Sequence, residues 1–162
     1  VFMKNSVERS LRALRADYVD ILMLHEPMLR QIPDPDDLAH ELDLLKASGK
    51  IRYVGLSGYG HALAEIAVQF PKLGEVIQVE VAESSGGVGA LQQCQRDVQV
   101  TFGHFRGAQM NTATTEERFQ RLQEKLSHAT QLNPSGVILF STRKPSHIDE
   151  VVSSLEKIER HN

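Results

Sequence analysis

DYVDILMLHEP, residues 17–27, is followed one helix-length later by GKIRYVGLSGYG, residues 49–60. Tyr18 to Leu24 is a nearly continuous apolar run, the pattern of a strand buried on both faces of a parallel sheet. It delivers His25 to its carboxyl tip. Ile51 to Leu56 reads as the next strand and ends in the corner Ser57-Gly58. The helix between them has clear signals. Asp34-Pro35-Asp36-Asp37 supplies an N-cap, a proline for the first turn and acids near the positive end of the helix dipole. Leu38, Leu42 and Leu45 recur at helical spacing, and Gly49 ends the helix. Two parallel strands that place polar residues at their carboxyl ends, with a helix between, are how a (β/α)8 barrel builds a site.

The alternation continues in both directions. Upstream, Asn5 and Glu8 have capping-box spacing, and Val7, Leu11 and Leu14 line one helical face. Downstream, His61 to Phe70 reads as a helix stopped by Pro71, and Val76 to Val81 as a strand. A short helix is expected over Gly89 to Arg96, and a strand over Val98 to Phe102. Thr114 and Glu117 form a capping box for a long helix that turns Phe119, Leu122, Leu126 and Ala129 inward. A strand over Val137 to Phe140 and a helix over Ile148 to Ile158 close the chain. Strands alternating with helices imply parallel βαβ units in an α/β fold. About five units do not close a barrel, which takes eight. An open curl leaves edge strands near Tyr18 and Val137 that need partners. A small flavodoxin-like open sheet also explains the alternation.

Composition narrows the function classes. The 162 residues carry 18 basic and 21 acidic side chains and a net charge of −3, with no basic stripe for nucleic acid. One cysteine, Cys94, precludes an internal disulfide and fits a reducing, cytoplasmic compartment. No apolar run reaches the roughly 18 residues of a membrane helix. No spacing of His, Cys, Asp and Glu suggests a metal site. A G-x-G-x-x-G fingerprint is absent, which argues against a Rossmann domain.

The wording of the two strands resembles the aldo-keto reductases, NAD(P)H-dependent carbonyl reductases. Their fourth strand ends in a hydrophobic run followed by His-x-Pro, as His25-Glu26-Pro27 does. Their fifth reads GKIR-x-hydrophobic-Gly-hydrophobic-Ser, as Gly49 to Ser57 does. The resemblance implies a partial TIM (β/α)8 barrel of about five βα units, strands four to eight, with the first three missing. Residues 1–162 then form a single domain, the C-terminal portion of the barrel. The family's catalytic Asp, Tyr and Lys lie upstream of its His. The chain begins at Val1, after that region, so it reads as a fragment, inactive alone. Tyr18, Tyr53 and Tyr59 are not at the position of the family's tyrosine.

The same resemblance assigns roles. His25 holds the substrate carbonyl oxygen, where a hydrogen-bond donor stabilises a developing alkoxide. Ser57 and Gln78 hold the nicotinamide carboxamide. Gly58 replaces an Asn that is usual in the family, and one amide contact is lost with it. Glu80, two residues beyond Gln78, shares its face. Phe102 stacks on the nicotinamide ring, with Gly103 giving close backbone approach. HFRGAQMNT, residues 104–112, takes the place of a belt over the dinucleotide, with Arg106 near the pyrophosphate. Ser141, Arg143 and Lys144 clamp the 2′-phosphate of NADP at a helix start, and Glu150 faces adenine. Val151 stands where the family has a further Asn. The cofactor implied is NADP and the substrate a small carbonyl compound, with no nucleic-acid or membrane partner.

Other readings of the same residues stand beside these. A lone histidine at a strand end is commonly structural. Gly55-Leu56-Ser57-Gly58-Tyr59 nearly spells a hydrolase nucleophile elbow, with Tyr59 in the place of its last glycine. Gln78 finds a partner on a neighbouring strand, Phe102 is a core aromatic, and the cations near residue 143 are solvated. At the level of the whole protein, the alternatives are a cofactor-sensing subunit resembling potassium-channel β-subunits, or an inactive truncated product.

Overall fold

The computed structural model describes residues 2–81, 86–106 and 114–159. The chain divides into two compact units, Val1–Val98 and Gln99–Asn162. The first holds α1 (Phe2–Leu14), β1 (Val19–His25), α2 (Pro35–Ala47), β2 (Ile51–Gly58), α3 (Gly60–Gln69), β3 (Val76–Glu80) and α4 (Gly87–Gln93). The second holds β4 (Val100–Phe102), α5 (Thr115–Leu132), β5 (Val137–Ile138) and α6 (Ser146–Glu159). Short 3-10 turns cover Leu29–Gln31 and Pro71–Leu73.

In the first unit β2 pairs in parallel with β1 on one side and β3 on the other. Helix α2 starts and stops on the sequence signals. Asp34 Oδ1 accepts the N–H groups of Asp36 at 3.1 Å and Asp37 at 3.0 Å, and Pro35 opens the first turn. At the other end Gly49 takes φ +72. Its N–H donates to the Lys46 carbonyl at 2.9 Å, and the Lys50 N–H to the Leu45 carbonyl at 3.1 Å. This Schellman cap needs a left-handed residue, which glycine adopts without a Cβ penalty. It hands the chain into β2 one residue later. The core beneath the strands is aliphatic, with Leu42 and Leu45 from α2, Leu63 and Ile66 from α3, and Leu56 and Ile77 from the sheet, all buried.

Three sequence expectations are corrected here. Helix α1 already runs from Phe2, so Asn5 lies inside it and does not cap it. Glu8, the expected capping partner, pairs its carboxylate with Lys50 instead. Strand β1 is not buried on both faces: Tyr18 and Ile21 are 42% and 40% exposed. β1 is the outer strand of the β1–β2–β3 order, and an outer strand keeps one edge open. The third concerns β5, which spans two residues rather than the four of Val137 to Phe140. Its hydrogen bonding to β4 nevertheless continues, with the Leu139 N–H reaching the Thr101 carbonyl at 2.8 Å.

In the second unit β4 and β5 pair in parallel. Helix α5 carries the expected capping box. The Glu117 N–H donates to Thr114 Oγ1 at 3.3 Å, and the Thr114 N–H to Glu117 Oε2 at 2.9 Å. The Thr114 backbone N–H, with its hydroxyl second, holds the Glu117 carboxyl below the usual glutamate range. Leu122 and Leu126 of α5 form a core with Val151 of α6, and Phe105, Leu155 and Ile158 pack against it. Phe119 is only half-buried, with the Lys157 ammonium 4.3 Å from its ring centroid.

Candidate functional site

The β1–β2–β3 register sets His25 opposite Ser57, and Ser57 opposite Gln78. The three lie in one row across adjacent parallel strands, at the end of β1, one residue before the end of β2 and midway along β3. Side chains alternate along a strand and register partners share a face, so all three side chains stand on one side of the sheet. The preceding row, Leu24, Leu56 and Ile77, occupies the opposite face. Leu56 and Ile77 are fully buried there, which anchors the polar row. Ser57 is 4% exposed, Gln78 half-buried and His25 exposed. Glu80, on the same face as Gln78, is 2% exposed.

The corner beyond the row has its own geometry. Glu26 takes φ +46, a left-handed conformation uncommon for glutamate. Its N–H donates to the Ser57 carbonyl at 2.6 Å. Gly58 takes φ +153, and a Cβ there would stand 3.2 Å from Glu26 Cα. The backbone path at this position thus favours glycine, because any side chain would be strained and crowded there.

The second unit carries the other predicted residues. Phe102 ends β4, half-buried, and Gly103 follows at φ +86. The Gly103 carbonyl accepts the Arg106 N–H at 3.0 Å. Beyond Arg106 the expected belt runs into residues 107–113, outside the described residues. His104 is 5% exposed, and its Nε2 lies 2.9 Å from Thr101 Oγ1. Burial above all, then the charges of His128 and Lys125, pushes the His104 imidazole below the usual histidine value.

A cavity of about 310 Å³ opens between α5, α6 and the loop that leads into α6. Ser141, Thr142, Lys144, His147 and Glu150 line one side, with Arg118, Leu122, Phe105 and Phe140 completing it. Phe105 and Phe140 meet edge to face at 6.4 Å. Glu150 Oε1 accepts from Arg118 Nη2 at 3.1 Å. The Thr142 hydroxyl is the hub of the loop. It accepts the Lys144 N–H at 3.1 Å and lies 3.0 Å from His147 Nδ1 and 3.2 Å from the Lys144 carbonyl. The structure thus gathers Ser141, Lys144 and Glu150 around one pocket, with Arg143 exposed beside them. Arg118 and His147 join the lining with no role foreseeable from local sequence. Arg118 has no local signal, because its partner lies on another helix. For His147 an i+5 spacing from a threonine across a helix start does not by itself announce a contact. Aromatic walls, cations and hydroxyls around a cavity of this size suit a planar ring that carries an anionic group.

Among the described residues, no group of three or more His, Cys, Asp or Glu side chains is placed to hold a metal ion. No helix there is long and apolar enough to cross a membrane.

The model of the Aldo/keto reductase family matches residues 2–83, half of the chain. The chain belongs to the aldo/keto reductase family. Within the family it is similar to Oxidoreductase YdhF of Escherichia coli, at 29% identity over 96% of this chain and 54% of that protein. An uncharacterized oxidoreductase of Bacillus subtilis, YcsN, is 46% identical over 54 residues, 33% of this chain and 17% of the relative. Among solved structures, the apo form of aldo-keto reductase AKR11C1 from Bacillus halodurans superposes with a TM-score of 0.71 at 19% identity. That match covers 94% of this chain and 62% of the other. The chain thus shares the α/β fold of aldo-keto reductases and spans from about a sixth to three-fifths of the length of these relatives.

Proposed function

We propose that the protein to which this chain belongs reduces an aldehyde or ketone with NADPH, and that this chain supplies the carbonyl-binding histidine and most of the cofactor contacts. The observation that carries the reading is the row His25–Ser57–Gln78. Three polar side chains in one row of adjacent strands, next to a row that holds the buried Leu56 and Ile77, form a platform with a division of labour built in. His25, the exposed member, donates to the carbonyl oxygen of the substrate and stabilises negative charge that develops there. Ser57 and Gln78 hold the cofactor's carboxamide, an acceptor and donor pair that matches a hydroxyl and an amide. On the second unit, taken by itself, Phe102 offers an aromatic face at the end of β4, and Gly103 follows at φ +86.

When bound, NADPH supplies the hydride. The chain's own residues position it. The pocket of the second unit fits the adenosine end: Phe105 and Phe140 as apolar walls, Glu150 toward the base, Ser141 and Lys144 toward the 2′-phosphate, and Arg143 at the rim. Charge-assisted hydrogen bonds to a phosphate are worth roughly 1.5–3 kcal/mol each.

The row is tested by separating turnover from cofactor affinity in the whole protein. His25→Ala lowers turnover at least about a hundredfold and leaves the NADPH dissociation constant nearly unchanged. Ser57→Ala and Gln78→Ala do the reverse, weakening NADPH severalfold. Equal loss of affinity and turnover in the His25 variant would overturn the assignment. At the other end, the Arg143→Ala/Lys144→Ala double variant is expected to bind NADPH at least about tenfold more weakly with NADH unaffected. A parallel loss for both cofactors would move these residues away from the 2′-phosphate.

A further inference from the structure

We propose that His147 is a proton-regulated anion ligand of the α5–α6 pocket, so that the pocket's hold on a phosphate tightens as pH falls from about 8 to 5.5. The proposal rests on the pocket's assignment to the phosphorylated adenosine end and adds a regulation to it.

The geometry begins at Thr142. Its hydroxyl oxygen lies 3.0 Å from His147 Nδ1 and 3.2 Å from the Lys144 carbonyl oxygen. A hydroxyl has one proton to donate and an oxygen that accepts. When the Thr142 O–H donates to a neutral His147, Nδ1 accepts and the ring's own proton sits on Nε2. With His147 protonated, Nδ1–H donates to the Thr142 oxygen, and the hydroxyl proton turns to the Lys144 carbonyl. Both states satisfy every atom of the cluster with no change in the loop. In both, Nε2–H is the ring donor left for a ligand. The Lys144 N–H holds the threonine oxygen in place throughout, at 3.1 Å. Protonation therefore adds a full positive charge to the pocket wall without rebuilding it.

The other charged groups of the lining come from each element around His147. Arg118 comes from α5, Glu150 from the next turn of α6 and Lys144 from the preceding loop. Arg118 and Glu150 pair with each other at 3.1 Å. Arg143 and Asp149 flank the pocket in sequence and are exposed. Arginine, lysine and ionised carboxylates keep their charges between pH 5.5 and 8, whereas histidine is the side chain that changes charge in that range. Of the pocket's lining, His147 is thus the switchable member.

Sulfate is the probe, because it remains a dianion throughout and any pH dependence then belongs to the protein. Calorimetric titration of the full chain is expected to show sulfate binding about tenfold tighter at pH 5.5 than at pH 8, the gain when a neutral hydrogen bond becomes charge-assisted. His147→Gln, which keeps a donor and cannot charge, should bind with the pH 8 affinity at both values. His147→Arg should bind tightly at both. In parallel, the NMR titration midpoint of the His147 ring should rise when sulfate is added, since a bound anion favours the protonated ring. A flat sulfate profile in the wild type, or a profile that His147→Gln leaves intact, would overturn the proposal. Titration with 2′,5′-ADP and with ADP at pH 8 separates the two layers. Preference for 2′,5′-ADP together with flat sulfate binding removes the histidine switch alone. Equal binding of the two nucleotides removes the 2′-phosphate reading of the pocket and leaves the sulfate result to decide the switch.

Discussion

Glu26 donates its backbone N–H to the Ser57 carbonyl at 2.6 Å, and does so from a left-handed conformation, φ +46. The bond fastens the chain at the residue after His25 to the residue opposite His25. It fixes where β1 ends and where the imidazole leaves the sheet. A non-glycine residue in this region costs roughly 1–2 kcal/mol, a strain of the kind that persists where the surroundings determine the backbone. Glu26→Gly is therefore expected to raise stability by up to about 1 kcal/mol. Glu26→Val, with a β-branched side chain in the same conformation, should lower it. Chemical denaturation of the two variants checks the order, and a destabilised glycine variant would show that the Glu26 side chain contributes more than its backbone strain costs.

Gly58→Asn writes the family's usual residue into the corner. The expected outcome is a loss. The backbone stands at φ +153, and the new Cβ would meet Glu26 Cα at 3.2 Å. We expect destabilisation of about 1–3 kcal/mol and no gain in NADPH affinity. Thermal unfolding with a cofactor titration decides it, and tighter NADPH binding at unchanged stability would contradict the backbone argument.

Gly60 and Gly89 form a matched pair in the first unit. A Cβ on Gly60, at the start of α3, would lie 2.1 Å from the Gly87 carbonyl oxygen at the start of α4, whereas one on Gly89 meets nothing within 4 Å. Gly60→Ala should cost about 1–3 kcal/mol through forced separation of the helices. Gly89→Ala, in the open interior of a helix, should stabilise by about 0.5–1 kcal/mol. Equal effects in urea unfolding would mean the close approach of α3 and α4 is not required.

His104 makes stability depend on pH. The folded imidazole, buried against Thr101, holds a proton less readily than an ordinary histidine. The unfolded chain thus binds a proton at a pH where folded His104 does not, and stability rises with pH. The stability from neutral His104 is fully present above about pH 6.5, the unfolded value. It is lost as pH falls through the lower folded value. The unfolding midpoint should therefore drop between pH 7 and pH 5, and His104→Gln should flatten that slope. A variant with the wild-type slope would place the titration elsewhere.

The pattern of strands and helices was legible because its signals are local. Asp34-Pro35, Gly49 and the Thr114–Glu117 box act within one turn, and each appears in the structure. The polar row was legible in part. The sequence places His25 and Ser57 at strand ends, while their register, and Gln78's place in the same row, come from pairing. What escaped depends on partners distant in the chain. Glu8 abandons a capping role for Lys50, forty-two residues away. Glu75 caps Lys46 with one oxygen and accepts the Val54 N–H at 2.9 Å with the other, a role no spacing announces. The exposure of β1 follows from its place in the strand order, which composition does not record.

The alternation that gathers His25, Ser57 and Gln78 on one face also decides how the gene tolerates change. Deleting one codon between the Gly49 turn and Val54 moves β2 by a single rung. That turns the hydroxyl of Ser57 toward the aliphatic side and puts Gly58 in its place in the row. Deleting two codons restores the face and sets the serine one full repeat off its neighbours. In-frame length variants of this strand should accordingly fall into alternating classes by parity, while the same deletions in the turn after α3 leave the rung assignments of β1 and β2 untouched.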